Sequence, residues 1–182
     1  MTRTLDIWWD GRLVGQLTQD KHGELGFAYA QEWLSDEEAQ PLSASLPKRA
    51  EPFSRRECRP FFGGLLPEES QRDAAAQALG VSRANDFALL DRLGGDVAGA
   101  LQLLPPGEGP ATLAPDQRPI PLDDAGLIRV LDALPVRPLL AGEEGLRLSL
   151  AGAQSKVPVV LVDGAVALPA PGQPTTHILK PP

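Results

Sequence analysis

Apolar and polar residues alternate from the start of the chain. In "TLDIWW", Leu5, Ile7 and Trp9 share one side of an extended segment, the pattern of a half-buried strand. Asp10-Gly11 follows, a pair that favours the positive φ angles of a two-residue hairpin turn, and "RLVGQL" is the partner strand. A second turn signal, "KHGE", precedes a third strand, "LGFAY". Trp8 and Trp9 face opposite ways, so either both are structural or one covers the core and the other a partner or a second element. "PLSASLP", bounded by Pro41 and Pro47, is expected to form another short strand.

The period then changes. Pro67, Glu68 and Glu69 suit the first turn of a helix, an alanine-rich run continues it, and Gly80 offers a C-terminal stop. Ser82 is the expected N-cap of "RANDFALLDRL", where Phe87, Leu90 and Leu93 share a face before Gly94-Gly95. "VAGALQLLP" reads as one strand returning to the sheet. Residues 105–121 hold six prolines and little periodicity, as a connection or surface loop would. "DDAGLIRVLDAL" is helical in pattern, with Leu127, Val130, Leu131 and Leu134 in one stripe and Pro135 and Pro138 beyond it. The remainder returns to β: "GLRLSL" and "KVPVVLV" around "AGAQS", the Asp163-Gly164 turn, "AVALP" and "THILKPP". The expectation is an α+β chain. Residues 1–105 form a β-meander with packed helices, 106–121 a Pro-rich connection, and 122–182 a helix with an antiparallel sheet.

Charge and composition narrow the function. The formal charge of −7 argues against direct binding to nucleic acid or an anionic membrane, which needs clustered Lys and Arg, but leaves a basic protein partner open. The single cysteine, Cys58, allows no disulfide within the chain and points to a reducing cytoplasm. No signal-peptide run opens the sequence and no window approaches the ~20 apolar residues of a membrane span. Cys58, His22 and His177 make no metal-ligand cluster.

The chemistry concentrates in "SLAGAQSK". Ser149, Gly152, Gln154, Ser155 and Lys156 crowd one short loop. Gly152 admits conformations closed to other residues, and successive backbone N–H groups in such a turn make an anion-binding concavity. The loop has neither the Walker A spacing nor G-x-G-x-x-G, so a plain hairpin and a phosphate cradle both fit its residue types. Lys180, at the end of "THILK", is either an exposed strand-end lysine or the strand lysine that meets nucleotide phosphates beneath a covering loop.

Together, "LSLAGAQSK" and "PTTHILKP" resemble the Gly-rich loop and nucleotide-lysine strand of HipA-type Ser/Thr kinases, the toxins of HipBA toxin–antitoxin pairs. "WWDGRLVGQL", "FAYAQEWL", "PLSASLP", "FFGGLLPE" and "FALLDRLGGDVAGALQLLP" are similar to the family's earlier segments, in its order. The resemblance implies a kinase N-lobe whose later, β-rich part faces ATP. It implies that Ala151, Gly152, Ala153, Gln154, Ser155 and Lys156 bind the phosphates of ATP, with Lys180 as the ATP-contacting lysine; nothing beyond membership of that loop is assigned to Ser155. It implies autophosphorylation at Ser149, where a group of about −1.5 to −2 charge would be expelled from a site meant for ATP phosphates. It further implies Mg²⁺, an aminoacyl-tRNA synthetase substrate such as glutamyl-tRNA synthetase, and a HipB-like DNA-binding antitoxin as partner.

A kinase of this kind also needs a catalytic and a metal-holding aspartate in a helical C-lobe, and no aspartate here lies in an H-x-D-x-x-x-x-N or D-F-G context. The sequence stops two residues after Lys180, so the expectation is an N-lobe that is inactive alone. Two alternatives stand beside it: a stand-alone regulator or antitoxin-type binding module resembling the N-lobe, and a β-rich module whose loop recognises a protein.

Overall fold

The structure is a computed structural model, and it describes residues 2–97, 101–110, 118–141, 148–170, 173 and 175–181. Strands β1 (Arg3–Trp9), β2 (Arg12–Gln19) and β3 (Leu25–Tyr29) form the expected antiparallel meander. Asp10 (φ +49) and Gly11 (φ +74) make the first turn, with the positive φ pair the dipeptide favours. The short helix α1 (Gln31–Ser35) follows, and its Trp33 stacks on Trp9 at 5.9 Å. Trp9 is therefore the core-side tryptophan. Trp8, on the other side of β1, buries its indole nitrogen.

"PLSASLP" is not a strand. Ser43 and Leu46 bridge each other across a tight turn, and Leu46 N–H donates to the Ser43 carbonyl. The Tyr29 hydroxyl pins that turn, donating to the Leu46 carbonyl and accepting from Leu42 N–H. Two flanking prolines remove the donors that a ladder would need, and a buried tyrosine supplies the alternative.

Three further helices complete the first half: α2 (Arg55–Gly63), α3 (Glu69–Leu79) and α4 (Asp86–Leu93). α2 forms although Pro60 lies inside it. Its start is a capping box: the Glu57 carboxylate accepts from Ser54 N–H at 2.8 Å and from the Ser54 hydroxyl at 2.7 Å. Cys58 and Phe62 on its inner face are fully buried. α3 begins after Glu68 rather than at Pro67, and Gly80 ends it in a left-handed conformation (φ +66). The N-cap of α4 is Asn85, not Ser82. The Asn85 side chain accepts from Ala88 N–H at 3.0 Å, while the Ser82 hydroxyl serves the turn before it. Asp86, buried in the first turn of α4, receives Arg59 Nε at 2.7 Å and the Arg72 guanidinium, tying α2, α3 and α4 together.

"VAGALQLLP" holds two strands rather than one. β4 (Asp96–Val97) and β5 (Leu101–Leu104) pair with each other, and β5 runs antiparallel to β1. α2, α3 and α4 cover one face of this sheet. Phe27, Phe53, Phe62 and Phe87 meet Leu5, Ile7, Leu17, Leu89 and Leu90 in one contiguous core, each fully buried side chain contributing about 1.5–3 kcal/mol.

The second half holds β6 (Ile120–Pro121), α5 (Asp124–Ala133), a 3₁₀ turn (Pro138–Leu140), β7 (Leu148–Ser149), β8 (Val157–Val162), β9 (Ala165–Leu168) and β10 (His177–Leu179). The Asp123 side chain caps α5 by accepting from Gly126 N–H. Asp163 (φ +51) and Gly164 (φ +82) turn β8 into β9 as their types require. A four-stranded antiparallel sheet results, in the order β10-β8-β9-β6, packed on α5 through Val130, Leu134, Leu140, Val157 and Val159. β6 comes from the end of the Pro-rich segment.

β7 does not join that sheet. It pairs parallel with β4, Val97 opposite Ser149, and becomes the last strand of a six-stranded sheet ordered β3-β2-β1-β5-β4-β7. The two strands flanking "AGAQS" thus belong to different sheets. Of the "GLRLSL" strand, residues 145–147 lie outside the described residues.

Candidate phosphate-binding loop

Because β7 and β8 lie in different sheets, residues 150–156 form a bridge between sheets, not a hairpin. Gly152 sits at φ +103, where a side chain would be strained. Space is short there as well: a Cβ on Gly152 would lie 3.1 Å from Lys156 Nζ. The loop closes on itself through Lys156, whose ammonium donates to the Ala151 carbonyl at 2.7 Å.

The first turn of α3 holds the loop from outside. Pro67 and Gly152 form a parallel bridge, and Glu68 N–H donates to the Gly152 carbonyl at 3.4 Å. Gln71 Nε2 donates to the Ser155 hydroxyl at 3.2 Å. Pro67, Gln71, Pro138, Leu139, Leu150, Gly152, Gln154 and Lys156 line a shallow pocket at this junction. Ala151, Ala153 and Gln154 are exposed, Gly152 and Ser155 are half-buried, and Lys156 is 8% exposed.

β10 brings the second cation. It runs antiparallel to β8 with Leu179 opposite Val157, and the same register continued by one residue sets Lys180 beside Lys156. Burial pushes the Lys156 pKa below its ordinary value, the neighbouring Lys180 charge pushes it the same way, and Glu68 opposes both. Lys180 is exposed. Two ammonium groups beside a glycine loop repel one another, and an anion placed between them would relieve both.

The structure therefore brings Gly152, Ser155, Lys156 and Lys180 to one corner, with Ala151, Ala153 and Gln154 on the outer surface of the same loop. Ser149 precedes the loop in β7. The sequence reading missed the contacts that Pro67 and Glu68, just before α3, and Gln71, within it, make with the loop, across 84 positions of sequence in the case of Gln71 and Ser155. It also missed Ile178, 54% exposed and two residues before Lys180, hence on the same side of β10. That alternation was available as a signal. Among the described residues no group of three or more His, Cys, Asp or Glu side chains is placed to hold a metal, and no helix is long and apolar enough to cross a membrane.

The family model for the HipA N-terminal domain matches residues 5–104, which run from β1 to the end of β5. This chain belongs to the HipA N-terminal domain family. Its similarity to HipA proteins continues beyond that region. A provisionally named kinase of Sinorhizobium fredii, Y4mE, is 76% identical over 99% of this chain and 43% of its own length. The serine/threonine-protein kinase toxin HipA of Shewanella oneidensis is 28% identical over 98% of this chain and 40% of its own length. The solved complex of Shewanella oneidensis HipA with HipB and its operator DNA contains a chain that superposes with a TM-score of 0.74 at 27% identity. That match covers 96% of this chain and 40% of the HipA chain. The chain thus spans about two fifths of the length of these relatives, and its HipA-like fold includes both the first sheet and the loop-bearing second half.

Proposed function

We propose that this chain is the N-terminal lobe of a HipA-like Ser/Thr protein kinase toxin that uses ATP. The observation that carries the reading is the meeting of the Gly152 loop with Lys156 and Lys180. The loop supplies backbone N–H groups and the lysines supply charge for the phosphates of ATP, in a kinase whose catalysis is mostly positioning and charge stabilisation. Lys180 contacts the phosphates, Ala151 to Lys156 cover them, and Ile178 offers an apolar surface to the base. Mg²⁺ and the catalytic carboxylate would be held by the part of a kinase of the relatives' length that lies outside these residues.

Ser149 is the autophosphorylation site. A phosphate there could not stay where ATP phosphates bind, so modification shuts the kinase down. The partner is a HipB-like antitoxin, in keeping with the HipA–HipB complex of the structural relative. The substrate is an aminoacyl-tRNA synthetase, glutamyl-tRNA synthetase being the first to test, and the setting is the cytoplasm.

The test is MgATP affinity of the full-length kinase and its Lys180→Ala variant, with phosphosites mapped by mass spectrometry. A weakening of about tenfold or more is expected for the loss of a charged contact. Unchanged affinity would remove Lys180 from the site, and phosphate found only away from Ser149 would remove that assignment.

A further inference from the structure

Phosphate loops are useful only when held, and this one crosses open ground between two sheets. Its support comes from α3. That helix is anchored in the large core by Ala75 and Ala76, and Arg72 joins it to the buried Asp86. Gln71, one residue earlier, points the other way in function and reaches Ser155. Glu69, between Glu68 and Gln71, adopts φ +46, a left-handed conformation that a glutamate holds only at a cost. The start of α3 is thus bent out of helical geometry where it meets the loop.

We propose that Gln71 is a positioning residue for the phosphate loop: it holds Ser155 docked on α3 and commits the Ser155 hydroxyl proton to an incoming phosphate oxygen. A serine hydroxyl has one proton and two acceptor sites. With the Gln71 amide donating to that oxygen, the remaining hydrogen-bonding capacity that suits an anion is the proton. The Glu68 N–H to Gly152 carbonyl bond fixes the other end of the loop. α3 thereby ties the body that matches the HipA N-terminal domain to the nucleotide corner, and the loop inherits the rigidity of that body. The ligand rests on the nucleotide reading above; the clasp rests on geometry alone.

Two measurements separate these. The first uses no nucleotide. Amide hydrogen exchange at Glu68, whose N–H is spent on the loop, is compared in the 182-residue chain and its Gln71→Ala variant. Faster exchange at Glu68, with an unchanged melting temperature, is expected; equal exchange overturns the clasp. The second uses the full-length kinase. Gln71→Ala and Ser155→Ala should each raise KM for ATP about 3- to 10-fold with kcat little changed, as for one neutral hydrogen bond. The double variant should be no worse than either single one, and Gln71→Glu, which can only accept, should be worse than Gln71→Ala. Additive losses would overturn the proposal. If the wild-type kinase fails to bind MgATP, the nucleotide reading falls and the Glu68 exchange result alone decides the clasp.

Discussion

The two sheets carry very unequal cores. The six-stranded sheet rests on α2, α3 and α4 with four fully buried phenylalanines among its packing residues. The four-stranded sheet rests on α5 through Val130, Leu134, Leu140, Val157 and Val159, with no aromatic side chain among them. Ile120, Leu161 and Ile178 of this second sheet remain substantially exposed. The chemically equipped loop leaves the well-cored sheet at β7 and enters the thinly cored one at β8. The larger core and the loop with its two lysines are thus housed apart, and α3 joins them.

The largest expected effect lies in the larger core. Phe62 is fully buried, so Phe62→Ala should cost about 3–5 kcal/mol and lower the urea midpoint of the whole chain. Leu134 is equally buried, but its cluster is wholly aliphatic. Leu134→Ala should cost about 2–3 kcal/mol. Hydrogen exchange should show that loss confined to β8–β10 and α5, with β1 and β2 still protected. A uniform loss in both halves would mean one cooperative unit, and the contrast between the sheets would collapse.

A smaller effect, of opposite sign, is expected at Lys156. Its folded pKa is depressed, so the charged form opposes folding at neutral pH, and this opposition lifts as pH rises through the folded value toward 10.5. Lys156→Met keeps the stem and removes the charge. It should stabilise the chain by about 0.5–1 kcal/mol in thermal melts and weaken ATP binding in the full-length kinase. Destabilisation instead would make the bond to the Ala151 carbonyl the dominant role of Lys156.

The smallest effect concerns α2. Hydrogen bonds from Ser54, and then Arg49, pull the Glu57 pKa down from 4.5 to about 2. Its folded value is the lower one, so the capping box stabilises α2 fully above about pH 4.5 and loses that contribution as pH falls toward 2. The start of α2 should loosen in this window, read by the Ser54 amide shift, and Glu57→Gln should remove the transition.

Local sterics were legible in the sequence. Asp10-Gly11 and Asp163-Gly164 announce their turns because few residue pairs tolerate two positive φ angles, and Gly80 announces the end of α3 for the same reason. The Ser54-x-x-Glu57 box is equally local and marks the start of α2, a helix the sequence analysis did not expect. The α4 cap shifted from Ser82 to Asn85 because either side chain can accept an N–H, and packing of Phe87 and Leu90 into the core chooses the register.

The identity of the loop residues, and their likeness to a kinase phosphate loop, could be read from residue types and order alone. That the loop spans two sheets could not. Among the described residues β7 is two residues long, and so short a stretch carries no periodicity that tells a parallel partner in one sheet from an antiparallel partner in another. Pairing Lys156 with Lys180 required the register of β10 on β8, and the hold of Gln71 on Ser155 required α3 to be carried across the molecule by its own buried alanines. Turns and caps are settled by neighbours in sequence. A corner that gathers a glycine loop and two lysines is settled by long-range contacts, which exist only once both cores have formed.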